Sequence, residues 1–191
     1  MVRERSGCDR LGRAALNPDS MPSDSPASAD LTTDLTTTVI VTADNIALVD
    51  THLAEETIDR LLEQWQHYEK KLQFEIQFPR EPMDPRELSE IAEIRLWFIR
   101  LDAKYPGLPL LLDWQSGELA RYVAMLVPHQ FHPKDGIQFN PEALEIFVMQ
   151  KVFVLMNWLK AQGMQGRSRV QGMTQMLGYE LEDEFFQVLG F

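Results

Sequence analysis

His129 and His132, three residues apart, with Asp135 three further on, form the cluster in this chain that comes nearest to a metal or acid–base site. Imidazole is a common metal ligand, and Asp135 or Asp113 could complete a coordination shell. The helical zinc motif, however, needs two histidines four apart with a glutamate between them. The segment HQFH has neither feature and lies between Pro128 and Pro133. A loop capped by histidine hydrogen bonds, or a loop that touches a partner, accounts for the same residues.

Other chemistry is weaker. Asp102, Asp113 and Glu118 sit among apolar neighbours and could act as acid or base, but buried carboxylates more often neutralise cations, here Arg95, Arg100 or Arg121. GMQGRSR, residues 163–169, combines glycines, arginines and a helix start, the ingredients of an anion site. It lacks phosphate-loop spacing, and its arginines can instead answer the acidic YELEDE segment, residues 179–184. Ser116 and Ser168 fall at turn or cap positions outside any GxSxG elbow, so serine nucleophile chemistry has little support.

The elements that would position these residues follow from periodicity and punctuation. TVIVT from Thr38 is a β-branched run that predicts a strand, followed by a turn or short helix to Val49. Residues 55–72 carry apolar side chains at helical spacing, and QFEIQFP alternates as a half-buried strand. These two strands are expected to pair antiparallel. Pro85 opens a mostly apolar helix running to Tyr105, and a further helix covers about 116–126. Residues 127–139 read as a loop. Asn140, Pro141 and Gly163 then mark the cap, first turn and stop of a long core helix. Two short helices follow, the first capped by Ser168 and stopped by Gly178. The fold class is therefore α+β: a helix-rich single domain over 38–191, with a small antiparallel sheet near its N-terminus.

Composition narrows the function classes. A net charge of −11 and no dense basic stripe argue against nucleic-acid binding. An acidic protein favours a basic or apolar partner surface. Cys8 is the single cysteine, which excludes an internal disulfide, a thiolate zinc site and a four-cysteine iron–sulfur cluster held by this chain alone. LPLLL and VFVLM are far shorter than the roughly 20 apolar residues of a membrane helix. Residues 1–37, rich in Ser, Pro, Asp and Thr after Met21, predict a flexible tail or a misassigned start, with Met21 as a second candidate start. The opening residues lack an apolar stretch of the kind a secretory signal needs, so a reducing, cytosol-like compartment is expected.

Four segments read together carry a resemblance: PRELSEIAEIRLWFIRLDAKYP, LPLLLDWQSGELARYVAMLVPHQFH, GIQFNPEALEIFVMQKVF and GRSRVQGMTQMLGYE. They resemble the Chlororespiratory Reduction Six family of cyanobacteria and chloroplasts, from about Thr38 to the C-terminus. The resemblance implies a cytoplasmic or stromal assembly factor for the photosynthetic NAD(P)H dehydrogenase-like (NDH) complex. Its implied client is the ferredoxin-like iron–sulfur I subunit, together with peripheral-arm assembly intermediates. No catalytic residue is carried over, so the expectation is a binding protein without catalytic residues, cofactor or metal of its own. Aromatic or polar residues placed between apolar helices, Asp113, Trp114, His129, Phe131, His132 and Arg167, are the expected partner contacts. The competing reading is a metal-dependent enzyme using His129, His132 and a carboxylate. A permanent subunit of the complex is the third.

Overall fold

A computed structural model of the protein describes residues 36–190 apart from Pro133 and Leu189. The expected tail lies outside the described residues up to residue 35, and Thr37 already belongs to the first strand. Strand β1, Thr37–Thr42, alternates inward Val39 and Val41 with outward Thr38 and Ile40. Thr42 ends the strand and caps helix α1, Ala43–Ala47, by accepting a hydrogen bond from the Asn45 backbone. Helix α2, His52–Glu63, buries Ala54, Ile58 and Leu61. The chain breaks at Gln64, makes one more turn as α3, Trp65–Tyr68, and reverses at Lys70 with a φ of 60°. The expected single helix over 55–72 is therefore two helices that stop short of Leu72, which instead begins strand β2, Leu72–Gln77.

β1 and β2 pair in parallel, with Thr37 opposite Leu72 and Thr42 opposite Gln77, not antiparallel as the sequence suggested. The connection explains the difference. A hairpin joins antiparallel neighbours through a few residues, whereas three helices between the strands form a crossover that returns the chain to its starting edge. A third segment extends the pairing: Leu72 and Leu112 form a parallel bridge, and the Asp113 N–H donates to the Leu72 carbonyl at 2.8 Å.

After the proline-rich connector, a 3-10 turn at Leu88–Glu90 precedes helix α4, Ala92–Lys104. The helix expected from Pro85 thus begins seven residues later, at Ala92. Ile91, in extended conformation, stands as its cap. One face of α4 buries Ile94, Trp97, Phe98 and Leu101, while Leu96 and Ile99 are exposed. Trp97, Phe98 and Phe74 of β2 form an edge-to-face aromatic cluster with centroids 5.0–5.9 Å apart.

Helix α5 is the single turn Leu108–Leu111, and α6 is Glu118–Leu126. The expected loop at 127–139 contains a second sheet: β3, His129–His132, pairs antiparallel with β4, Gly136–Phe139. The antiparallel pair therefore exists, but far from the N-terminus. Helix α7, Pro141–Ala161, starts and stops where Asn140, Pro141 and Gly163 place it. Asn140 Oδ1 accepts from the Ala143 N–H at 3.0 Å, and Gly163 has a φ of 67°. Helix α8, Arg167–Met176, is preceded by Gly166 at the cap position, so Ser168 lies within its first turn. A Cβ on Gly166 would stand 2.6 Å from Leu159 Cδ1, so the missing side chain lets α8 start hard against α7. Helix α9, Asp183–Val188, buries Phe186 and completes the helix-rich α+β domain.

Candidate functional site

The hairpin β3–β4 carries His129, Phe131 and His132. An odd spacing of three in a strand sends the two histidines to opposite faces of the ribbon. His129 Nδ1 lies 3.0 Å from the Val127 carbonyl, which can only accept, so Nδ1 carries the proton. Its Nε2 lies 2.9 Å from Ser89 Oγ, which can donate to it. Both ring nitrogens of His129 are thus engaged within the fold, where it also packs edge-on to Phe139. His132 is exposed and reaches Asp135 across the turn, Nδ1 to Oδ2 3.0 Å. Phe131 is 38% exposed. Among the described residues no three His, Cys, Asp or Glu side chains converge as metal ligands. The shared coordination imagined for the two histidines is not formed.

Asp113 and Trp114 belong to the turn between α5 and α6. Asp113 Oδ1 accepts from the Gln115 and Ser116 backbone N–H groups at 3.0 and 3.2 Å, and Oδ2 accepts from Gln73 Nε2 at 2.8 Å. Burial pushes this carboxyl up, but the Gln73 amide and the backbone donors outweigh it and hold it below the ordinary range. Its work is to fasten the turn to β2. Trp114 is a core residue, 7% exposed, with its indole N–H donating to the Pro109 carbonyl at 2.8 Å and the Lys70 ammonium 4.0 Å from its ring centroid. Little of it is left for a partner to touch.

Arg167, in the first turn of α8, pairs with Asp183 at the start of α9, and its guanidinium lies 5.4 Å from the Phe186 ring centroid. Arg169 pairs with Glu69 at 3.0 Å and donates to the Gln165 carbonyl. One arginine of GMQGRSR thus answers the acidic C-terminal segment, as the sequence suggested, and the other holds the end of α3. The six expected contact residues therefore sit on three elements: a turn, a hairpin and a helix start.

The carboxylates are also paired. Glu118, pushed up by burial, accepts from Arg121 at 2.8 Å, and the same guanidinium donates to the Phe74 carbonyl. Arg95 and Arg100 donate instead to the Met125 and Val49 carbonyls. Asp102 has a partner the sequence reading missed: Lys151 of α7, with Nζ 2.5 and 2.6 Å from the two carboxylate oxygens. Tyr122 of α6 donates its hydroxyl to the same carboxylate, so one polar cluster ties α4, α6 and α7 together. Burial first, then the Asp102 charge and hydrogen bond, raise the Tyr122 hydroxyl well above its ordinary value. The signal for Lys151 was a lone cation on the apolar side of α7, seven residues after Leu144 and four before Leu155.

A second feature went unread. The solvent side of α7 carries Glu142, Glu145, Gln150, Asn157 and Lys160 and also exposes Ile146 and Phe153. Apolar residues seven apart on that side were the available signal.

No helix among the described residues is long and apolar enough to cross a membrane. No solved structure matches the chain. A family model described as Chlororespiratory reduction 6 matches residues 41–188, from within β1 to the last residue of α9. The chain belongs to the Chlororespiratory reduction 6 family.

Proposed function

We propose that the protein is an assembly factor of the photosynthetic NDH complex that binds the ferredoxin-like I subunit before that subunit enters the peripheral arm. The observation that carries this reading is the family match across residues 41–188, which runs from within β1 to the end of α9. The side chains support a binding role. The polar groups that could have been catalytic, His129, Asp102, Asp113 and Glu118, are engaged in bonds that hold elements together, while large apolar residues stand in solvent. A protein with one cysteine can hold or present an iron–sulfur client but cannot donate a four-thiolate cluster of its own.

Affinity capture from a photosynthetic extract tests the proposal. The tagged full-length chain should retain the I subunit and peripheral-arm intermediates and leave the mature complex behind. Co-purification with mature complex would instead make the protein a permanent subunit. Retention of no NDH subunit by folded bait would refute the assembly role.

A further inference from the structure

The exposed side of α7 is two-natured. Ile146 is 69% exposed and Phe153, two turns on, is 43% exposed, with half-buried Met149 between them at helical spacing. The Phe153 ring lies 6.4 Å from Phe185 in α9, which carries the apolar surface from one helix to the next. Val188, one turn beyond Phe185 on the same side of α9, is 86% exposed. Single exposed apolar residues are ordinary, but a continuous stripe across two helices needs a covering surface. Acidic residues flank it. Glu142 stands one turn before Ile146 with Glu145 beside it, and Glu182 and Glu184 flank the start of α9, all four exposed.

We propose that this α7–α9 stripe is the docking surface for the protein's client, and that the client meets it with an apolar patch rimmed by lysine or arginine. The inference rests on the reading that the chain binds an NDH subunit and adds where and through what chemistry. The four carboxylates decide among occupants. A second copy packed stripe to stripe would bring two acidic rims together, on a chain whose net charge is −11. An anionic bilayer would be repelled by the same rim. A basic-rimmed protein surface gains desolvation of the stripe and a complementary field that steers its approach.

The test uses full-length protein with Ile146→Glu and Phe153→Glu combined, a Met83→Glu control at a 90% exposed position in the proline-rich connector, and Glu142→Lys combined with Glu145→Lys. Circular dichroism and Tm confirm that each variant folds. Binding of purified I subunit is expected to weaken about tenfold or more in the apolar double variant, as for a central contact, and to be unchanged in the Met83 control. The lysine pair should lose most of its affinity deficit as salt is raised. Wild-type affinity in the folded apolar double variant overturns the proposal. Should the wild type itself fail to bind I subunit, the function reading fails, and the stripe is then judged by the other NDH subunits that each bait retains from extract. Their loss in the apolar double variant alone supports the stripe. Equal retention, or no NDH subunit retained by any bait, overturns it, as does a wild-type dimer that the apolar double variant dissolves.

Discussion

Replacing Lys151 with Met keeps an unbranched side chain, one atom shorter, and deletes its charge. In the native fold its ammonium touches both oxygens of Asp102, and Tyr122 donates to the same carboxylate. The substitution leaves Asp102 charged, with the Tyr122 hydroxyl as its remaining donor in this cluster. Removing one partner of a buried pair costs about 3–5 kcal/mol. The Asp102 side chain keeps 18% of its exposure and Lys151 only 7%, so water can soften the loss on the carboxylate side. The expected cost is therefore at the lower end, about 3 kcal/mol, which for a chain of this size lowers Tm by about 6–12 °C. Urea unfolding followed by tryptophan fluorescence measures it. The companion variant, Asp102→Asn with Lys151→Met, removes both charges and still offers Tyr122 an amide oxygen, so it should recover most of the stability. Loss of less than about 1 kcal/mol in the Lys151→Met single variant, the range of an exposed pair, would refute the description of this cluster as a buried tie between three helices.

Other consequences are as direct. A Cβ at Gly107 would stand 2.5 Å from Trp158 Cη2, and that ring is held edge-on against Trp65 at 5.2 Å, so Gly107→Ala should cost about 1–3 kcal/mol in urea unfolding through overpacking. Tyr105 and Tyr122 are both raised by burial first and then by a carboxylate partner, Asp59 and Asp102. Their unfolded forms ionise near the ordinary value of 10.0 while the folded forms keep the proton, so the unfolded state binds fewer protons there and stability must fall as pH rises past 10. Phenolate absorbance should show these two tyrosines ionising only as the fold opens. Because His129 uses both ring nitrogens internally and His132 faces the other way, protein purified without chelator should hold no stoichiometric zinc, iron or manganese that disappears on changing both histidines. Elemental analysis checks this.

The parts of the fold that could be read from sequence are those with local punctuation. α7 was legible because Asn140, Pro141 and Gly163 state its ends chemically, and β1 because Val39, Ile40 and Val41 are β-branched in a row. Pairing direction was not stated by either strand alone; it follows from the helices lying between them, which make a hairpin impossible. The β3–β4 hairpin carries its sequence signal in the turn and not in its histidines. Asp135-Gly136 is a hairpin turn signal, and Gly136 takes the positive φ of 74° that such a turn requires. The site was less legible than the fold. Trp114 is expected as a partner contact because it is an aromatic placed between apolar helices, yet the turn folds it inward onto Pro109. Lys151 and Phe153, two residues apart on α7, both fall in a helix that the sequence marks only as a core helix. A helical wheel does not tell which sides of a mostly apolar helix meet neighbours, and only packing distinguishes the buried ammonium from the exposed ring.

The proposed function turns on direct recognition of one iron–sulfur subunit by this chain. Titration of purified I subunit into purified full-length protein, followed by calorimetry, tests it with no other component present. A saturable one-to-one complex with a negative heat-capacity change, the mark of apolar burial, is expected. Absence of binding between folded partners, with the I subunit tested both with and without its clusters, would contradict it.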